Sequence, residues 1–135
     1  MRLLIDAIII LDVLQKREPH YKDSMLIWKL CETNQDIGFV SVLTFADLVY
    51  IMRKELDSVQ IKDVLDKLTL IFQFSEYSVT DMEKAADLQW EDYEDAVQCV
   101  TAERNHVDYI ITRNVRDYKR SQIPALTPAE YLARR

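Results

Sequence analysis

Glycine is nearly absent from this 135-residue chain: Gly38 is the only one. No Gly-rich phosphate loop can be written with a single glycine, so GxGxxG and Walker A chemistry is excluded. The three prolines and the lack of any Pro- or Ser-rich stretch leave no linker, so the sequence reads as one domain over 1–135. Cysteine is also scarce. Cys31 and Cys99 lie far apart, form no CxxC, and sit in apolar helical contexts, which reads as two buried thiols rather than a zinc site or a disulfide framework. Long hydrophobic runs are missing too. The longest, such as Ala7 to Leu11, are far below a membrane span, and Asp6 interrupts the apolar start too early for a signal peptide. A soluble cytoplasmic protein with no membrane contact is expected. Basic charge is in deficit as well: 17 Lys and Arg stand against 23 Asp and Glu, a net charge of −6. That balance argues against general electrostatic binding of nucleic acid but suits hard divalent cations, which need carboxylate oxygens.

What is present alternates strand and helix. Leu3 to Ile5, Ile37 to Val40 and Tyr109 to Ile111 read as short buried strands, with weaker strands at Ile71 to Tyr77 and Ile123 to Leu126. Between them the spacing predicts helices over Ile9–Lys16, Tyr21–Thr33, Ser41–Glu55, Val59–Leu70 and Asp92–Asn105. In the third of these, Leu43, Ala46, Val49, Tyr50 and Met52 are expected to face inward. Thr80 to Glu83 reads as a capping box opening a helix through Trp90, and Thr127-Pro128-Ala129-Glu130 opens a last one. Trp28, Trp90, Met25, Met52 and Met82 read as core, and Arg134 and Arg135 as solvated. The fold class is α/β, a short and mainly parallel central sheet flanked by helices. Ligands of such folds sit outside the carboxyl ends of the strands.

Acids collect at those ends. Asp6 closes the first strand, Asp117 follows the strand at Tyr109 to Ile111, and Asp47 interrupts an otherwise apolar helix face. Asp92 and Asp95 stand one turn apart ahead of apolar Ala96, Val97 and Val100, so either is a candidate ligand. Carboxylates turned inward need partners, and several together repel unless a cation lies among them. The sequence thus points to an acidic site holding Mg²⁺ or Mn²⁺. Each acid has a plainer reading: Asp6 as a helix cap, Asp47 paired to Arg53 or Lys54, Asp117 as a turn cap, and Glu91 to Asp95 as a solvated helix start, where Glu91 and Glu94 fit best. Arg113, Arg116, Lys119 and Arg120 fall within eight positions just after Tyr109 to Ile111. They read either as a solvated loop or as contacts to phosphate groups. Tyr93 and Tyr118 read as core, with base stacking the alternative.

In this order the segments resemble the PIN-domain family. Leu4-Ile5-Asp6-Ala7-Ile8 resembles the family's opening, Ser41-Val42-Leu43-Thr44-Phe45-Ala46-Asp47 its second motif, Asp92-Tyr93-Glu94-Asp95-Ala96 its third, and Tyr109 through Asp117 to Tyr118 its fourth. Ile123 to Pro128 resembles the usual close. The resemblance is greatest to small stand-alone bacterial members, including VapC-type toxins. It implies a three-layer PIN-like sandwich and metal-dependent hydrolysis of RNA phosphodiesters, with Asp6, Asp47, Asp95 and Asp117 catalytic, and those four or Asp92 as ligands of Mg²⁺ or Mn²⁺. Thr112, Asn114 and Thr44 would orient ligands from behind. It also implies an RNA substrate and an antitoxin partner, while the surplus of Leu, Val, Tyr and Phe on the helices within Tyr21 to Leu70 points to a homodimer or a bound partner peptide. The chain departs from the pattern at three places: Ala7 and Ile8 replace a polar pair, Asp47 stands for a longer Glu, and Asn114 for a frequent Asp. A non-catalytic PIN fold serving as an RNA- or protein-interaction module is the alternative function.

Overall fold

A computed structural model describes residues 1–135. β1 (Arg2–Ile5), β2 (Ile37–Ser41), β3 (Gln73–Ser75), β4 (Tyr109–Ile111) and β5 (Ala125–Leu126) form one sheet in the order β3-β2-β1-β4-β5. Every pairing is parallel. Parallel strands need crossovers, and helices supply them: α1 (Ala7–Leu14), α2 (Tyr21–Glu32), α3 (Val42–Met52), α4 (Ser58–Ile71), α5 (Val79–Asp87), α6 (Tyr93–Arg104) and α7 (Pro128–Arg134). A short 3-10 turn, Val115–Tyr118, follows β4.

The strands bury both faces. On β1, Leu3 and Ile5 enter a core with Ile9, Ile10, Ile27, Leu48, Leu68 and Tyr131, while Leu4 enters a second with Phe39, Ala102, Ile110 and Tyr118. A third cluster, built on Ala85, Ala96, Val97 and Val100, locks α5 to α6. These layers make the sandwich the sequence led us to expect. Gly38 is required by close approach rather than by backbone angle: a Cβ there would stand 2.7 Å from the Phe72 ring and 2.8 Å from Cys31 Sγ.

The structure departs from the sequence reading in several places. α3 buries Thr44, Leu48 and Met52, while Ala46 and Tyr50 face outward. Apolar residues occur almost all round this helix, so periodicity could not set its phase. α5 begins at Val79 with Ser78 as its cap, in a reciprocal capping box with Asp81, and it ends at Asp87. Trp90 therefore lies in the connection to α6, after Gln89 takes a left-handed turn at φ 55°. Met82 is exposed, and so is Tyr93, whose hydroxyl donates to the Met82 carbonyl at 3.1 Å. Arg135 is not free: its Nε lies 3.1 Å from Oδ2 of buried Asp36, which also accepts from the Tyr131 hydroxyl and the Met1 amine. No helix is long and apolar enough to cross a membrane.

The sheet order reverses direction between β1 and β4. Strands β2 and β3 extend from β1 to one side, and β4 and β5 to the other. The crevice outside the carboxyl ends of β1 and β4 is the switch point where ligands of open parallel sheets bind.

Candidate acidic site

Asp6 follows β1 directly and reaches across that crevice. Its Oδ2 accepts from the Thr112 hydroxyl at 2.7 Å, at the end of β4. Thr112 is fully buried, and its Oγ1 also accepts from the Asn114 backbone N–H at 3.0 Å. Asp6 holds the N-cap position of α1 without a well-formed side-chain capping bond, the Ala7 and Ile8 N–H groups favour its charged form, and Thr112 gives its carboxylate its direction. Thr112 thus orients the acid, whereas Asn114 serves through its backbone.

Asp6 lines a cavity of about 50 Å³ together with Ala7, Thr44, Asp47, Glu94, Asp95, Gln98 and Tyr118. Three elements deliver the acids. β1 leads into Asp6, α3 projects Asp47 from its half-buried margin, and the first turn of α6 projects Glu94 and Asp95. Four carboxylates and no cationic side chain surround this space. Burial raises the pKa of Asp6 despite the opposing Thr112 bond, and burial raises that of Asp47. Glu94, the most open of the four, is raised by partial burial and then by the charges of Asp47, Asp92 and Asp6. Asp95 is pushed up to about 6, by burial first and then by Asp92, Asp117 and Asp6. Perturbed acids gathered in a cleft are a mark of functional sites.

Two further groups depend on this space. Gln98 is buried, its Nε2 donates to Thr44 Oγ1 at 3.0 Å, and its Oε1 has no hydrogen-bond partner. An orphaned buried oxygen costs about 1–3 kcal/mol unless something donates to it or coordinates it. Tyr118 is buried, and its hydroxyl pKa is raised by burial and by the surrounding carboxylates.

The other candidate residues separate. Asp92 is the cap of α6, its Oδ1 accepting from the Asp95 backbone N–H at 3.2 Å, and it is exposed. Asp117 is exposed on the 3-10 turn, close enough for its charge to raise Asp95. Asp92, Asp95 and Asp117 share a second, larger hollow with Trp90, Arg116 and Arg120. No group of three His, Cys, Asp or Glu side chains stands close enough to hold one ion. Arg113 is already engaged: its Nη2 donates to fully buried Asp12 at 3.1 Å, and its Nε stands 3.1 Å from the other carboxylate oxygen. An internal ion pair therefore takes the place of the phosphate interaction expected of Arg113. Arg116, Lys119 and Arg120 remain exposed.

The sequence alone places Glu94 on a solvated helix start and gives no role to Gln98 or Asp12. Glu94 carries a signal only in context, as the residue beside Asp95 in the first turn of a helix aimed at the sheet edge. Nothing in the sequence marks Gln98, because the helix buries a continuous run from Ala96 to Ala102.

Several solved structures share the fold over nearly the whole chain. A toxin-antitoxin complex from Klebsiella pneumoniae superposes with a TM-score of 0.70 at 21% identity, covering 93% of this chain and 97% of that one. VapBC-1 from nontypeable Haemophilus influenzae gives 0.72 at 15% identity, over 96% and 99%. Mycobacterium tuberculosis VapC20, a toxin that cleaves the sarcin-ricin loop, gives 0.64 at 8%, over 80% and 86%. Among curated proteins no significant match is found. A family model described as PIN domain matches residues 2–116, spanning every acid of the cavity, and the chain belongs to the PIN domain family.

Proposed function

We propose that this protein is a divalent-metal-dependent ribonuclease acting as the toxin of a toxin–antitoxin pair in the cytoplasm. The observation that carries the reading is one cavity walled by four carboxylates, all with raised pKa and none paired to a cation, beside the unpartnered Gln98 oxygen. Hard oxygen donors without a counter-charge suit Mg²⁺ or Mn²⁺. Asp6 and Asp95 would hold the ion, with Asp47 and Glu94 within the same cavity and Asp92 or Asp117 contributing charge from outside. A divalent cation so held supplies acidification of a water and neutralisation of phosphate charge. The chain's own residues do the rest. Thr112 fixes the direction of the Asp6 carboxylate. Glu94, which is not given to the ion, would take the proton of the attacking water and return one to the leaving oxygen. The toxin–antitoxin complexes among the structural neighbours support an antitoxin partner, and the exposed apolar side chains of α3 and α4, such as Tyr50, Val59 and Leu70, offer a surface for it or for a second copy.

Thermal unfolding with and without Mn²⁺ tests the ion, because a ligand of the folded state alone must raise its stability, by about 2.7 kcal/mol at a hundredfold excess over Kd. The gain should vanish in Asp6→Asn, together with cleavage of single-stranded RNA. No gain at millimolar Mn²⁺ and no cleavage would sink the nuclease reading. They would favour the second reading, a non-catalytic PIN fold used as an interaction module, for which the lack of a closed three-acid ligand cluster speaks.

A further inference from the structure

The geometry points to a nucleotide-binding subsite at Trp90, adjoining the acidic cavity, where RNA next to the scissile bond would rest; this inference depends on the nuclease reading above. The hollow there has a volume of about 340 Å³ and meets the acidic cavity at Asp95, which lines both. Its floor is the Trp90 indole, half-buried and packed against two core clusters, so the ring is held in place. The left-handed turn at Gln89 delivers it to the surface after α5 ends.

Two arginines line the same hollow. Arg120 lies 5.7 Å from the Trp90 ring centroid, and its Nη2 donates to the Leu88 carbonyl at 3.3 Å. Arg116 is exposed on the same rim. Neither is ion-paired, although Arg104, Arg113 and Arg135 all are. A guanidinium 5.7 Å from a ring is at the far limit of a cation–π interaction. A base can enter against the indole while the arginines take the adjoining phosphate. Aromatic stacking and cationic grip on the backbone are the two features that single-strand sites combine.

The acids on the rim narrow the ligand. Four carboxylates line the hollow, Glu91, Asp92, Asp95 and Asp117, and Glu91 and Asp92 are exposed acceptors next to Trp90 in the chain. They disfavour a bare phosphate and accept from the exocyclic amine of a base such as cytosine. Charge alone therefore does not define the pocket. A nucleotide satisfies all three of its parts: the ring face, the amine acceptors and the cations.

The test uses the full chain with Trp28→Phe, which leaves Trp90 as the only tryptophan; Trp28 is buried beside Phe72 and lines neither cavity. Hexacytidylate RNA is titrated in EDTA, so that binding is read without cleavage. Saturable quenching of Trp90 emission is expected, with affinity falling as salt rises. Replacing Arg116 and Arg120 with Gln should reduce the slope of log affinity against log salt by about 0.7 for each phosphate no longer neutralised. In Trp90 variants the affinity is read by fluorescence anisotropy of a labelled hexacytidylate. Trp90→Leu should weaken binding about tenfold and Trp90→Phe far less, since stacking on any ring is retained. With Mn²⁺ and a cleavable RNA, Arg120→Gln should raise KM by a larger factor than it lowers kcat. Metal-dependent cleavage without Trp90 quenching, or with Trp90→Leu binding as tightly as the parent, would overturn the subsite and leave the nuclease standing. Quenching without any cleavage would overturn the nuclease reading and leave a nucleotide pocket.

Discussion

Asp95 is raised by its burial and then by the charges of three neighbouring acids. Its folded pKa of about 6 lies above the ordinary 3.8. The folded chain therefore holds a proton that the unfolded chain releases, and stability falls as pH rises from about 4 to about 6. Asp95→Asn should stabilise the metal-free protein by about 1 kcal/mol at pH 7, a figure discounted for partial solvation, and by almost nothing at about pH 4. Urea unfolding at the two pH values checks this. Arg113 gives the opposite case. Arg113→Met strands Asp12, which is fully buried and keeps only the Ser24 hydroxyl at 3.1 Å, and should cost about 3–5 kcal/mol. Adding Asp12→Leu should recover much of that stability in the same measurement. The placing of Asp6 and Asp95 at the acidic cavity was legible because each ends or opens an element next to an apolar run. The engagement of Arg113 was not, because its partner lies 101 residues away.

The helices end without the residue that usually ends them. Lys16, Asn34, Gln89 and His106 follow α1, α2, α5 and α6 with φ between 49° and 60°. Three of these ends close the full pair of bonds expected of a Schellman turn: Lys16 N–H to Val13 and Arg17 N–H to Asp12, Asn34 to Cys31 and Gln35 to Leu30, His106 to Glu103 and Val107 to Ala102. The hydrogen bonding is complete, so the left-handed backbone is the remaining cost, about 1–2 kcal/mol for an ordinary residue. His106→Gly should raise stability by about 0.5–1 kcal/mol after the added freedom of the unfolded chain is counted, whereas His106→Ala should not. Melting temperatures of the two variants decide it. Helix starts were better legible than stops. Thr127 with Glu130 caps α7 as the sequence implied. Ser78 displaced Thr80 at α5 because both hydroxyls precede an acid at the right distance, and only packing against α6 chooses between them.

At the scale of the whole molecule, acids of opposite behaviour share one chain. Burial works to raise the pKa of Asp36, but bonds from Arg135, Tyr131 and the Met1 amine outweigh it and hold the group below its ordinary value. Asp81 is likewise held down, against burial, by the Ser78 cap and by Arg104. These two stabilise the fold above about pH 4 and cease to do so as pH falls through their lowered values, while the cavity acids destabilise it increasingly up to about pH 6. Without divalent ions the stability maximum should fall on the acid side, near about pH 4, and millimolar Mn²⁺ should move it toward neutrality. A melting-temperature profile in EDTA and in Mn²⁺ checks both limbs. The parallel sheet and its acidic edge were legible in the order of strands and acids. The cavity's membership was not, because α3 and α6 reach it from separate stretches of chain with phases that only packing sets.

Asp95 forms part of the wall of both cavities. A wall shared in this way makes two ligands accountable to each other: whatever factor a cation on one side adds to the affinity of a nucleotide on the other, the nucleotide must return to the cation. RNA would then recruit the metal as strongly as the metal recruits RNA, and at scarce divalent concentrations the substrate itself would arm the site.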